Sequence, residues 1–289
     1  DDESRLFNLM ATPGYPELIG EMISLNNDRG LSAFILGDSP MRLTPDATSL
    51  QNWSTNVNLA VEDNDNGLVS TDEYLGVFYP SGFTSDNFGN NVVVPASHMM
   101  LRTIALSDQV SFPWFAPAGT RRGGITNATS TGYINSEGEF VSTALNEGQR
   151  DTLYTNNVNP ITFITGAGLV NYGQKTRFAG SSALDRINVA RLVIYLRSQL
   201  NKLARPYVFE PNDKITRDEI KAQAESLLLE LVGNRAIFDF LVVCDESNNT
   251  PTRIDRNELY LDIAIEPVKA VEFIYVPLRL KNTGEIAGL

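Results

Sequence analysis

The chain has 289 residues, of which 42% are hydrophobic and 20% are charged, a balance that excludes a disordered or collagen-like protein. Its 23 basic and 35 acidic side chains give a net charge of −12. Such a field repels phosphate, so we expect no nucleic-acid partner. The single cysteine, Cys244, excludes an internal disulfide framework and a cysteine-ligated zinc site. No apolar stretch approaches the roughly 18 residues of a membrane span, so we expect no membrane insertion.

The first half of the sequence alternates strand-like and helix-like segments. Short apolar runs predict strands at residues 6–10, 33–36, 74–79 and 92–94. Apolar spacing and start signals predict helices at residues 16–28, 50–61 and 96–106. Strands separated by helices are typical of a parallel sheet. Residues 119–138 are rich in Gly, Thr, Asn and Ser, which predicts a loop and a domain boundary. We therefore predict an α/β domain over residues 1–135.

The second half reads as helices followed by strands. A strand at residues 160–164 precedes a long helix over residues 182–204. Thr216 and Glu219 have the spacing of a capping box, which predicts that the next helix begins there. Strands are predicted at residues 237–244, 258–265 and 271–280, and Pro277 favours an edge position for the last of them. We predict an α+β domain over residues 136–289, and mixed sheets flanked by helices for the whole chain.

The long helix of the second half is locally basic. At 100° per residue its apolar side chains share one stripe and its basic side chains fall in the opposite half. In a chain of net charge −12, this pattern favours contact with an acidic partner surface. Pairing of the arginines with acids of their own subunit is the equally weighted alternative. The candidates for partner contact are Arg186, Arg191, Arg197, Lys202 and Arg205.

A serine after a predicted strand raises an enzymatic alternative. Ser39 ends the segment Gly37-Asp38-Ser39, and one superfamily of α/β hydrolases places its nucleophile after a strand in this way. That chemistry needs a histidine to deprotonate the serine. The one histidine, His98, lies on a predicted helix of the first half and has no metal ligands clustered near it. We expect no catalytic residue, no metal and no cofactor, and an α/β hydrolase using Ser39 is the less favoured alternative.

An ordered set of segments resembles the contractile phage tail sheath proteins. The segment that joins the family's two C-terminal domains is similar to LSD at 106–108, WFAPAG at 114–119 and RG at 122–123, continued by QRD at 149–151 and VNPI at 158–161. The family's long helix and the turn after it are similar to DRINVARL at 185–192 and FEPN at 209–212. Its C-terminal strand pair resembles VCD at 243–245, NNTP at 248–251 and IDRNE at 254–258. Together these segments span roughly residues 76–275.

The resemblance implies a structural, non-enzymatic protein. Such a subunit polymerises as stacked rings around the inner tail tube, and a baseplate triggers the contraction that drives the tube through the host envelope. The implied partners are further sheath subunits, the tube protein and the baseplate. The implied location is the virion tail, after assembly in the host bacterial cytoplasm. A sheath of a related injection machine, such as a phage-tail-like bacteriocin or a type VI secretion apparatus, is the alternative.

The resemblance also implies terminal arms that add strands to the sheets of neighbouring subunits. The chain opens on Asp1-Asp2-Glu3 without Met, so we expect a fragment that lacks the N-terminal arm and is monomeric by itself. The last predicted strand is expected at the joint between subunits. Its interface candidates are Val271, Phe273, Tyr275, Leu278 and Leu280. Because the family's C-terminal domain faces the tube, the basic helix is expected to face the tube or a neighbouring subunit.

Overall fold

The computed structural model describes residues 6–55 and 71–276. Its strands are β1 Leu9–Ala11, β2 Phe34–Asp38, β3 Leu75–Tyr79, β4 Ser81–Ser85, β5 Asn91–Val94, β6 Ser130–Ile134, β7 Phe140–Ser142, β8 Asn159–Ile164, β9 Gly168–Asn171, β10 Ile237–Val243 and β11 Asp262–Pro267. Its helices are α1 Ile19–Asp28, α2 Ala47–Ser54, α3 Ala96–Val110, α4 Gly119–Arg122, α5 Glu147–Thr155, α6 Ile187–Ala204, α7 Lys214–Gly233 and α8 Pro251–Asp255.

The central sheet has the strand order β1-β2-β3-β8-β9. Its first four strands run parallel and β9 is antiparallel to β8. Side chains of β2 alternate between two hydrophobic clusters, because successive residues of a strand point to opposite faces. Phe34 and Leu36 pack with α3 and α6 on one face, and Ile35 packs with α1, α2 and α5 on the other. The prediction of mixed sheets flanked by helices is confirmed.

A second sheet, with the order β5-β4-β6-β7, is antiparallel throughout. One of its strands, β6, falls in the segment 119–138, whose Gly, Thr, Asn and Ser content predicts a loop. Glycine is required there because the backbones approach closely: a Cβ at Gly132 would lie 2.0 Å from the Val141 carbonyl oxygen. Phe83 and Phe140 stack across the sheet with ring centroids 4.7 Å apart. The predicted loop over residues 119–138 is therefore wrong where β6 lies.

The pairing of strands bears on how the chain divides into domains. Positions 135 and 136 lie in the turn between β6 and β7, which are hydrogen-bonded to each other. In addition, β8 from the C-terminal side of that position pairs with β3 from the N-terminal side. A division at residue 135 would cut through a sheet. We propose a division near residue 180 instead, after the last strand of the central sheet, β9.

Helix α6 lies between two hydrophobic clusters. Ile187, Ala190 and Ile194 belong to the cluster that covers the central sheet. Leu192 and Leu196 belong to a separate cluster with α7, β10 and β11. The first half of α6 is consequently buried around most of its circumference. A helix buried on two sides cannot be recognised from one apolar stripe.

The N-terminus of α7 differs from the predicted capping box. The helix begins at Lys214, and the Asp213 carboxylate accepts a hydrogen bond from the Thr216 backbone amide at 2.9 Å. Asp213 is therefore the N-cap, and Thr216 lies inside the first turn. The prediction of the helix is confirmed, but its predicted N-cap, Thr216, is three residues late.

We expect the Asp213→Ala variant to lower the melting temperature, because it leaves an amide of the first turn of α7 without its acceptor. Glu219→Ala is the matched control, since Glu219 is exposed on the same helix and would matter only if the capping box existed. Circular dichroism melting of both variants measures the effect. A larger loss for Glu219→Ala than for Asp213→Ala would contradict the observed cap.

Candidate functional site

Strands β10 and β11 form a two-stranded antiparallel sheet of their own. Among the described residues each strand pairs only with the other, so each has one edge of backbone N–H and C=O groups without a strand partner. Such edges are templates for pairing with a further strand. A two-stranded sheet is also marginal by itself and needs packing or added strands for stability. The site is therefore suited to accept strands from outside.

The inner face of this sheet packs on α6 and α7. Ile237 and Val242 are buried in the cluster with Leu196 and Leu228, and Ile263 joins from β11. This packing holds the sheet against the body of the protein while its edges stay open. On its outer side, Phe238 and Leu241 expose 68% and 62% of their surface.

A cluster of asparagines fixes the connection between β10 and β11. The Asn248 side-chain amide donates to the Val243 carbonyl and to the Asp262 carboxylate, both at 2.8 Å. The Asn249 amide donates to the Tyr260 carbonyl at 2.9 Å and its oxygen accepts from the Tyr260 amide at 2.7 Å. Buried polar networks of this kind rigidify what they connect when their groups are satisfied. In the sequence these asparagines stand out only because the segment NNTP at 248–251 resembles the tail sheath family.

The C-terminal segment that follows β11 forms no strand in its described part, residues 271–276. The strand predicted there is wrong for this single chain. Val271, Phe273 and Tyr275 expose 79%, 68% and 88% of their surface. Such a run of exposed apolar side chains marks an interaction surface. The other two interface candidates, Leu278 and Leu280, and the edge-strand signal Pro277 lie outside the described residues.

Two of the predicted partner-facing arginines are held within the subunit. Arg191 exposes only 3% of its side chain, and its two terminal nitrogens contact both oxygens of Asp108 at 3.0 and 2.5 Å. Arg186 binds Glu272 and, at 3.0 Å, Asp185. For these two residues the alternative of intramolecular pairing is the observed one. The basic face of the helix is thus smaller than the sequence predicts.

The other three basic candidates lie toward the C-terminal end of α6. Arg197 is half-buried, with its guanidinium 3.2 Å from the Leu31 carbonyl and over the Tyr74 ring. Lys202 and Arg205 are exposed, and among the described residues neither forms an ion pair. All three line a groove of about 850 Å³ between α6, the end of α1 and the first described residues. Of the five basic candidates, those that are exposed and, in the part of the chain that the structure describes, unpaired thus lie at this end of the helix.

The geometry around Ser39 gives no support to the hydrolase alternative. Ser39 is 2% exposed, and its hydroxyl has no hydrogen-bond partner among the described residues. His98, which would have to be the base, is exposed on α3 and forms no hydrogen bond with the Ser39 hydroxyl. The neighbouring Asp38 carboxylate instead accepts bonds from the Ser97 amide at 2.6 Å, the Ser97 hydroxyl at 2.9 Å and the Gly14 amide at 2.8 Å. It ties β2 to the start of α3.

Neither a metal cluster nor a membrane helix is found in residues 6–55 and 71–276. No group of three or more His, Cys, Asp and Glu side chains there is arranged to hold a metal ion. None of the helices in this part combines the length and apolar character that crossing a bilayer requires.

Comparison with known proteins shows which class of protein this fold is similar to. Residues 180–281 match the family described as phage tail sheath C-terminal domain, so this part of the chain belongs to that family. It is similar to the tail sheath proteins of Vibrio phage KVP40 and Enterobacteria phage T4, at 35% and 32% identity over 249 residues. These alignments cover 83% of this chain and 35% of each relative. The chain thus spans about a third of the length of the curated relatives it matches.

Solved structures share the fold at lower sequence identity. The helical sheath of the anti-feeding prophage in its contracted state is 20% identical, covers 95% of this chain and 70% of that chain, and gives a TM-score of 0.71. The contracted sheath complex of an extracellular contractile injection system, PVC, is 17% identical with a TM-score of 0.69, over 86% of this chain and 64% of that one. These likenesses concern the fold alone.

Proposed function

We propose that the chain is a structural subunit of a contractile phage tail sheath, which polymerises around the inner tail tube and contracts to drive it through the host envelope. The proposal is non-enzymatic and invokes no cofactor. The observation that carries it is the two-stranded sheet of β10 and β11, whose outer edges have no strand partner among the described residues. The relatives' identity as tail sheath proteins supports it.

The proposed contact between subunits is strand exchange. In the segment after β11, Val271, Phe273 and Tyr275 alternate with Glu272 and Ile274, a spacing that places the first three on one face of an extended strand. This face is exposed in the single chain and would be covered when the segment pairs with a neighbour's open edge. Main-chain hydrogen bonds supply affinity in such pairing, and side chains supply specificity. Leu278 and Leu280 alternate with Pro277 and Arg279 in the opposite phase, so they would lie on the other face of a continuous strand.

For the tube or a neighbouring subunit, the proposed contact is the C-terminal end of α6. Lys202 and Arg205 are exposed there, and Arg197 lines the same groove. In a chain of net charge −12, this positive end is complementary to an acidic surface. Arg186 and Arg191 are left out of this contact because their guanidinium groups are already paired.

A sheath of a related injection machine remains the second candidate, and the fold shared with the PVC sheath favours it. Both candidates predict the same subunit chemistry. If the chain is a phage tail sheath subunit, its proposed location is the virion tail, after assembly in the host bacterial cytoplasm. The baseplate is then a further proposed partner.

Negative-stain electron microscopy tests the proposal with the 289-residue chain and a longer chain that restores the length of the curated relatives. We expect the longer chain to form hollow tubes and the 289-residue chain to stay monomeric.

In the longer chain, Phe273→Asp is expected to reduce tube formation at least about tenfold, because it places a charge in the exchanged strand. Phe88→Asp is the matched control, since Phe88 is 90% exposed on the turn between β4 and β5. Equal tube formation by Phe273→Asp and the parent would contradict strand exchange through this segment.

A further inference from the structure

One residue of the exposed C-terminal segment is held by the body of the protein. The Glu272 carboxylate accepts hydrogen bonds from Arg186 Nε at 2.5 Å and Arg186 Nη2 at 3.1 Å. Its Oε1 also accepts from Gln174 Nε2 at 3.1 Å. The Glu272 side chain is only 15% exposed. A two-nitrogen contact of this kind combines charge with a fixed geometry, which makes it one of the stronger side-chain interactions.

The residues on both sides of Glu272 are free of such contacts. Val271 is 79% exposed, and the exposed fractions of Phe273, Ile274, Tyr275 and Val276 run from 68% to 88%. Upstream, the backbone is last tied to the body by the Val268 amide, which donates to the Ala236 carbonyl at 3.0 Å. Within the described part of the chain, which ends at residue 276, Glu272 is therefore the last residue whose side chain is held by the body.

The body supplies a shaped receptor for this carboxylate. Arg186 stands immediately before α6, and its backbone bridges Lys175, next to Gln174. The Tyr154 ring closes the same cluster, and its pKa is raised by burial and then by the negative charge of Glu272. Gln174 is itself 3% exposed. The two donors of the Glu272 carboxylate are thus positioned by buried structure rather than by flexible surface side chains.

We propose that the Glu272–Arg186 ion pair is a latch that fixes where the C-terminal arm leaves the subunit. This inference rests on the proposed function and adds a positioning element to it. It assigns Arg186, a candidate for tube contact in the sequence, to the arm of its own subunit. The latch sets the reach and direction of the arm before any neighbour is engaged, which reduces the ordering cost of strand exchange.

Hydrogen exchange read by mass spectrometry on the 289-residue chain tests the latch without requiring assembly. We expect Glu272→Gln to increase the exchange rate of the Val268 amide about tenfold, because a bond to a charged group is replaced by a neutral one. In the unaltered chain, raising the salt concentration is expected to move this exchange rate toward that of the variant, since salt screens the partly exposed pair. The variant is expected to be insensitive to salt.

Glu266→Gln is the matched control, because Glu266 is exposed on β11 six positions earlier. The charge reversal Arg186→Glu combined with Glu272→Arg is expected to restore the slow exchange. Equal exchange in Glu272→Gln and Glu266→Gln would overturn the latch, as would an absent salt response in the unaltered chain. Failure of the longer chain to form tubes, with the exchange results as expected, would overturn the sheath proposal and leave the latch standing.

Discussion

The Asp108→Ala variant is expected to be among the least stable single variants of this chain. It removes the partner of Arg191, whose side chain is 3% exposed, and leaves a guanidinium charge buried between α3 and α6. Breaking a buried pair in this way costs about 3 to 5 kcal/mol. Because Asp108 itself is 23% exposed and water can reach the vacated site, we expect a loss near the lower figure. Denaturant unfolding monitored by tryptophan fluorescence measures it.

Two further variants separate the buried charge from a general effect of lost ion pairs. Asp218→Ala breaks the exposed pair with Lys214 on α7, whose side chains are 77% and 58% exposed, and is expected to change stability little. Combining Asp108→Ala with Arg191→Met removes the buried charge as well and should recover much of the loss. If Asp108→Ala and Asp218→Ala have equal unfolding midpoints, Arg191 is not buried as described.

Asp38→Asn is the second variant for which we expect a large loss of stability. The Asp38 carboxylate accepts three hydrogen bonds, two from Ser97 and one from Gly14. In the variant, an NH2 group replaces one of the two carboxylate oxygens. This group cannot accept a hydrogen bond from a backbone amide, so at least one of the three buried bonds is lost. Leaving such groups unsatisfied costs about 2 to 4 kcal/mol in total. Denaturant unfolding at neutral pH measures the difference from the unaltered chain.

The same variant has a defined pH dependence. Burial raises the pKa of the Asp38 carboxyl above its ordinary value of 3.8, although the bonds from Ser97 and Gly14 oppose the shift. The folded state therefore binds this proton more tightly than the unfolded state does. The contribution of the group to stability is complete below 3.8 and is lost as pH rises through the folded pKa. The variant lacks this titration, so its stability deficit should narrow as pH rises from below 3.8. A deficit that widens over that range would contradict the assignment.

Ser39→Ala is the matched control for Asp38→Asn. It alters the adjacent residue of the same strand end, but its hydroxyl is buried without a partner among the described residues. Removing such a group is expected to leave stability unchanged or slightly higher. A loss comparable to that of Asp38→Asn would show that Ser39 has a contact the structure does not contain.

The central sheet could be predicted from the sequence because its strands carry continuous apolar runs. β2 and β3 are buried along their whole lengths, which is the condition under which such runs form. Strand β6 of the antiparallel sheet could not be predicted in the same way. Gly132 satisfies a close backbone contact with Val141, and a strand that needs glycine has the composition of a loop.

The basic helix shows a different limit of sequence reasoning. The helical projection places Arg191 opposite the apolar stripe, which is correct as geometry. It does not reveal that a second hydrophobic cluster covers that opposite side at Ile187 and Ala190, nor that Asp108 lies within reach. Both facts depend on segments far apart in the chain: Asp108 is 83 positions from Arg191, and the cluster includes Phe34 of β2. The open edges of β10 and β11 are likewise not visible in any local sequence pattern. They arise because, among the described residues, no third strand pairs with either of them.

The position of α6 between two hydrophobic clusters has a mechanical consequence. A neighbour that pairs with the edge of β10 or β11 pulls on a sheet that is packed against α6. The same helix is embedded against the central sheet through Ile187, Ala190 and Ile194. Tension applied at the strand edge is therefore carried into the central sheet through a stiff helix rather than through a flexible linker. Under load the two parts should yield as one unit, so single-molecule pulling through the C-terminal segment should show one unfolding event for the body.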